Sequence, residues 1–310
     1  MTVALRLLAA ACLLALPAAA GCGDDAGSSS SGVTVVATTT QAADLARAVA
    51  GDRAEVVGLI PPNADPHDYE VRPGDVKALA DADVVIRSGG DLDDWLAGAI
   101  DSSGTGAREL VLIDEVDTIA GEEEDVDPHW WQDPRNAAKA VAAIEAELSA
   151  ADADGSATYA RNARAYTAEL TALDRAVADC IEQIPAAQRK LVTTHDALGY
   201  YAERYGLEVV GAVIPSLSTQ AQASAGEVDE LVRTIRRERV KAIFAESSVN
   251  PKLEQVVADE AGAQVGRALW ADTLGPEGSD GATYLTSIAA NTRAIADGLG
   301  GGAVSCTLPG

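Results

Sequence analysis

This chain of 310 residues holds a single phenylalanine and a single methionine, and aromatic residues make up only 4% of it. Its core must therefore come from Ala, Val, Leu and Ile, within a hydrophobic share of 47% that is ordinary for a globular protein. Histidine is nearly as scarce, at three residues. Positive charge is short as well: 23 Lys and Arg face 48 Asp and Glu, for a net charge of −25. Such a surface repels nucleic acid and anionic lipid and draws in cations over about a Debye length. There is no His-Glu-x-x-His helix, no Gly-x-Ser-x-Gly elbow and no phosphate-cradling glycine loop, which argues against an enzyme. Past the first 22 residues no apolar run is long enough to cross a membrane.

The first 22 residues read as a targeting segment. Arg6 precedes the apolar run Leu7 to Leu16, which is too short for a stable span, and Ala18, Ala19, Ala20 and Gly21 lead to Cys22. Small residues ending in Ala-Gly-Cys resemble the lipobox of bacterial lipoproteins, although Ala19 stands where Leu is usual. That resemblance implies export, lipidation of Cys22, and anchoring to the outer face of the cell membrane through lipid alone. Residues 23–32 are rich in Ser, Gly and Asp, the composition of a flexible tether. With Cys12 in the targeting segment, Cys180 and Cys306 remain, an even number in an oxidising compartment. A bridge would tie the end of a long helix to the chain terminus; two buried free thiols are the alternative.

Short β-rich runs alternate with helical patterns, which predicts an α/β fold with parallel sheets. Candidate strands are Val33–Ala37, Ala54–Ile60, Asp83–Arg87 and Glu109–Ile113, then Lys190–Thr193, Glu208–Ile214, Ala242–Ala245 and Gln264–Ala268. Two series of four suggest two similar lobes, 33–155 and 185–310, each a roughly four-stranded parallel sheet flanked by helices. Between them, 156–184 is one long helical pattern: Ser156 is a candidate cap, Pro185 a stop, and Leu170, Leu173, Val177 and Ile181 recur at helical spacing. At about 1.5 Å per residue it exceeds the needs of one lobe, which favours a rigid rod joining both.

All three histidines fall just beyond predicted strands. His67 and His129 sit in the repeated tripeptides Asp65-Pro66-His67 and Asp127-Pro128-His129, and His195 directly follows the run ending at Thr194. In open α/β sheets that edge is where ligands bind. Two first-lobe histidines and one from the second lobe can meet only in the cleft between lobes. A fourth ligand should lie beyond the last strand of the second lobe, where Asp272 stands. Three neutral imidazoles and one carboxylate suit zinc in a near-tetrahedral shell. Zinc on three protein ligands with an open position would be a hydrolase site, but Asp272 would close it.

The motifs running from Pro61 to Glu70, Asp127 to Pro134, Thr194 to Tyr200, Phe244 to Glu246 and Asp272 to Gly275 stand in one order. As a set they resemble the ZnuA/TroA-like group, the cluster A-I (cluster IX) substrate-binding proteins of metal ABC transporters. The resemblance covers about Val33 to Leu299. It implies two α/β lobes joined by a rigid helix, with the metal held in the cleft by His67, His129, His195 and Asp272. It further implies a monomeric receptor that hands its cation to an ABC permease and its ATPase, with release through small lobe tilts and loop ordering. In the group's pattern, His at the third ligand position marks zinc members and Glu the typical manganese members, so Zn2+ is expected and Mn2+ is the alternative. A surface adhesin or metal-sequestering protein would share the fold.

In place of the long His-rich loop of many zinc members, this chain has only the acidic stretch 122–125, a solvated loop or a weak cation collector. Glu246 is expected behind the ligands rather than among them, since a fifth ligand would crowd the shell. Asp196 is expected to cap the helix that follows it, or else to orient His195. Trp130 and Trp131 either wall the site or pack between helices, and Asp65 and Asp127 either serve the site or form Asx turns.

Overall fold

The structure, a computed structural model, describes residues 32–121, 126–301 and 304–309. Cys22, the targeting segment, most of the tether and the acidic stretch 122–125 lie outside the described residues. Strands β1 (Thr34–Ala37), β2 (Glu55–Gly58), β3 (Val84–Arg87) and β4 (Arg108–Val111) form one parallel sheet in the order β2-β1-β3-β4. Helices α1 (Thr40–Ala50), α2 (Pro73–Ala80), α3 (Leu96–Ser103) and α4 (Pro134–Ala151) surround it.

The apolar runs Thr-Val-Val-Ala and Val-Val-Ile-Arg make the central strands because both faces of this sheet are covered. Val35, Ala37, Val84 and Ile86 pack on one side, into the main core with Leu45 and Val141. Val36 and Val85 point the other way, against Leu59, Leu79 and Leu96. Local chemistry sets the helix starts. Thr39 accepts from the Ala42 amide at the head of α1, and Asp133 accepts from the Arg135 amide with Pro134 as the first residue of α4.

The second half repeats the order. Strand β5 (Lys190–Thr193) pairs with β6 (Glu208–Ala212), and β7 (Ala242–Ile243) with β8 (Gln264–Val265), all parallel. Rather than one four-stranded sheet there are two pairs, joined by a bridge between Thr193 and Phe244 in which the Phe244 amide donates to Val192 O at 2.8 Å. Strands β7 and β8 are shorter than the sequence predicts: beyond Ile243 and Val265 the pairing resumes only as a bridge between Glu246 and Leu269, one residue out of register. Phe244 is fully buried, and Gly266 and Gly298 lie so close that a Cβ on either would come within 2.8 Å of its ring. Around the pairs lie α6 (Gly199–Tyr205), α7 (Ala225–Glu238), α8 (Lys252–Ala261) and α9 (Tyr284–Gly300). Ser224 and Glu227 make a reciprocal capping box at the start of α7.

Helix α5 (Ser156–Glu182) is the predicted rod, about 40 Å long. Its first half binds the first sheet's layer: the Asn162 amide donates to Val49 O and Tyr166 OH to Asp44, both on α1. Its second half binds the other: Asp174 receives the Arg204 guanidinium at 2.6 and 2.8 Å and Tyr205 OH at 3.1 Å, both from α6. Leu170, Leu173, Val177 and Ile181 are buried, each full burial being worth about 1.5–3 kcal/mol. Gly155, not Ser156, is the N-cap; Ser156 is the first helical residue and its hydroxyl turns back to Ala153 O. Glu182 ends the helix, ahead of Pro185.

Cys180 on α5 is disulfide-bonded to Cys306, 126 residues on. Breaking this bridge with reductant, or with Cys180→Ala and Cys306→Ala together, should lower stability by about 2–5 kcal/mol. Urea unfolding with and without reductant measures it, and coincident midpoints would show that the bridge adds nothing.

Candidate metal centre

His67 follows β2, His129 follows β4, His195 follows β5 and Asp272 follows β8, so each ligand candidate leaves the carboxyl edge of a strand. The structure brings all four together. One donor atom from each lies within 4.8 Å of every other. The Nε2 atoms of His67 and His195 stand 3.3 and 3.2 Å from Asp272 Oδ2, and His129 Nε2 stands 3.5 Å from Oδ1. Asp272, His129 and His195 are buried.

The repeated Asp-Pro-His tripeptide repeats one local device. Asp65 Oδ1 accepts the His67 amide at 2.9 Å and Asp127 Oδ1 the His129 amide at 2.8 Å, so both aspartates form Asx turns. Asp127 does more, because the same oxygen lies 2.8 Å from His129 Nδ1. Glu246 does the equivalent for His195, with Oε1 at 2.5 Å from Nδ1 and 3.2 Å from the backbone amide. A carboxylate on Nδ1 fixes that nitrogen as the donor and leaves the Nε2 lone pair facing the centre. The two facing Nε2 atoms of His129 and His195 are only 3.3 Å apart. Lone pairs that close repel unless a cation or proton lies between them. Both oxygens of Asp272 and Nε2 of His67 are buried without a hydrogen-bond partner, which leaves their lone pairs available to a cation.

Electrostatics follow from that crowding. Burial pushes the His195 imidazolium down, but Glu246 and Asp272 outweigh it and hold its pKa well above the usual 6.5. Burial raises Glu246, against the pull of His195. Burial would raise Asp272 too, yet His195 and His129 hold it well below the ordinary carboxylate range.

Asp196 is not the cap of the helix that follows it. Helix α6 begins at Gly199 with Leu198 as its N-cap and no side-chain cap bond, and the His195 ring is oriented by Glu246. The Asp196 backbone amide donates to Ser216 O at 3.0 Å. The tryptophans combine both expected roles. Both are buried; Trp130 Nε1 donates to Ser88, while Trp131 stands edge-on to His129 at 5.4 Å and donates to Ala271 O. Gln132 donates to that same carbonyl, so the turn that carries Asp272 is fixed from the first half of the molecule. The Thr40 hydroxyl accepts the Leu274 amide, and the Asn63 amide donates to Leu274 O and the Thr273 hydroxyl. Gln132 stood inside a motif visible in the sequence; Thr40 carried no signal.

Residues 35–298 match the ZnuA family, described as zinc-uptake complex component A, periplasmic. The chain belongs to this family. It is 33% identical over 303 residues to the manganese-binding lipoprotein MntA of Bacillus subtilis, a match covering 94% of this chain and 98% of that one. It is 32% identical over 262 residues to the zinc-binding protein TroA of Treponema pallidum, covering 82% and 84%. The solved structure of the periplasmic zinc-binding TroA superposes with a TM-score of 0.82 at 29% identity, over 86% of this chain and 99% of that one. The family resemblance and the fold class read from the sequence are thereby borne out. This ZnuA-family chain is a metal-binding, substrate-binding protein of an ABC transporter and not an enzyme.

A metal bound to these four side chains must displace the proton that Glu246 and Asp272 hold on His195. Metal binding at pH 7 should release protons, and affinity should keep rising as pH climbs past 6.5. The sign reverses for the metal-free protein: a raised histidine pKa gives stability that is complete below about pH 6.5 and lost as pH rises through the folded value. Calorimetric titration in buffers of different ionisation enthalpy reads the proton count, and buffer-independent heats would contradict it. Glu246→Gln, which replaces the charged carboxylate on Nδ1 with a neutral amide, should weaken metal binding by about 10–100-fold with the fold retained.

Proposed function

We propose that this protein captures zinc with His67, His129, His195 and Asp272 and passes it to an ABC permease driven by its ATPase. The observation that carries the reading is the donor set: three imidazole Nε2 atoms and one carboxylate, buried and converging within 4.8 Å. Imidazole-rich shells favour zinc over manganese, which prefers carboxylate and water oxygens. Zinc is also what TroA is named for, and the zinc-uptake family name points the same way. Glu246, which engages His195 through Oε1, serves as the outer partner rather than a fifth ligand.

Manganese is the second reading, and two observations favour it. Several relatives, MntA among them, are named for manganese. Both oxygens of Asp272 face the centre without partners, so a bidentate carboxylate would raise the coordination number toward what a harder ion prefers.

The lobes, residues 33–155 and 185–310, would grip the cation between them, with 156–184 as the rod that limits their swing. The protein would work as a monomer outside the cell membrane, held there by a lipid on Cys22. The small-residue run before Cys22 and the lipoprotein names of relatives support that placement.

Zinc and manganese titrated in competition into the body from Val33 onward should give one tightly held zinc that manganese does not displace. Preferential manganese would leave the site and overturn the choice of cation. His195→Ala should lose more than the roughly 100-fold upper range of outer-partner substitutions, with an unchanged circular dichroism spectrum. Unaltered binding by that variant would refute the ligand assignment.

A further inference from the structure

We propose that His67 is the ligand past which the metal enters and leaves, and that Thr219 and Gln220 are the residues that position it. The inference rests on the metal-capture reading above and deepens it.

The four candidate ligands are not equivalent. The side chains of His129 and His195 are 0% exposed and Asp272 1%, whereas His67 is 8% exposed. His129 and His195 are each pinned at Nδ1 by a buried carboxylate. The His67 ring is paired through Nε2 with Asp272, itself a candidate ligand, rather than through Nδ1 with a carboxylate behind it, so its ring has the least to hold it when the metal departs. A cavity of about 250 Å³ opens on His67 and on none of the other three. Leu92, Trp95 and Pro128 wall it from the first half of the molecule, and Leu217 and Ser218 from the second.

The second wall belongs to a segment, 216–220, that ties two ligand loops together. At one end Ser216 O receives the amide of Asp196, the neighbour of His195. At the other, the Thr219 hydroxyl donates to Asp65 Oδ2 at 2.7 Å and the Gln220 side-chain amide donates to the His67 carbonyl. Asp65 uses its remaining oxygen, Oδ1, to hold the His67 amide. The placement of His67 is therefore set from the opposite half by two side chains that touch no ligand atom. Moving 216–220 outward releases Asp65 and the His67 carbonyl together and widens the cavity at the same moment. A receptor that must bind tightly and still let go needs one ligand that yields before the others, and His67 is built to be that one.

The test uses the body from Val33 onward loaded with zinc, mixed rapidly with excess chelator to read release, and with a fluorescent zinc competitor to read uptake. Thr219→Val combined with Gln220→Ala should speed release by about 10-fold or more, in line with loss of an outer partner. The absorption bands of the cobalt-loaded variant should stay unchanged, since the ligands themselves are intact. Thr219→Ser, which keeps the donor, should restore slow release. Ser218→Trp, which fills the cavity, should slow uptake and release by the same factor at constant Kd, the signature of an obstructed path rather than an altered ligand. Release no faster in the double variant, or a Ser218→Trp protein whose two rates are unmoved, would overturn the proposal while leaving metal capture standing. If the unaltered protein held no metal, the capture reading would fail and this inference with it.

Discussion

Three imidazole nitrogens and a carboxylate converge on one buried point, and much of the molecule around them serves to hold them there. His129 and His195 bring facing Nε2 atoms to 3.3 Å, a distance that only a shared cation or proton makes tolerable. Buried carboxylates behind them, Asp127 and Glu246, prevent either ring from turning its Nδ1 inward. The Asp272 turn is clamped from the far side by Trp131 and Gln132. The centre is thus preorganised for a positive charge in the sense that its polar groups have no better partner within the protein.

That preorganisation needs the two halves to keep their spacing, and α5 supplies it. The helix carries no Gly or Pro from Ser156 to Glu182, and its polar anchors are divided: Asn162 and Tyr166 toward α1, Asp174 toward α6. The disulfide from Cys180 to Cys306 fixes its far end to the terminal segment. A rod bonded to both layers would resist wide hinge opening, and in the proposed role the freedom for capture and release would come from loops at the strand edges. The His67 loop is the place where the described bonds leave most of it.

Much of this was legible in the sequence. Continuous Val-rich runs marked strands buried on both faces, the spacing of Leu170, Leu173, Val177 and Ile181 marked the long helix, and three scarce histidines after strands marked the centre. The Asp-Pro-His repeat had a readable local meaning, since the Asx turn depends only on neighbours. The cap role expected of Asp196 failed because a capping residue stands directly before the helix start, and α6 begins only at Gly199, with Leu198 before it. The second sheet's shortness escaped for a related reason: register is set between strands, and the pairing of β7 with β8 slips by one residue before the Glu246–Leu269 bridge.

By itself, then, the sequence determined most of the elements, the candidate ligands and the edge on which they stand, because periodicity, turn chemistry and donor identity are properties of neighbouring residues. Tertiary structure alone decided which candidate ligand is least buried, which ring is pinned by which carboxylate, and that Thr219 reaches Asp65 and Gln220 reaches His67 from more than 150 residues away. Those relations depend on how two layers are set against each other. No local pattern encodes the distance between groups that only the packed core brings together.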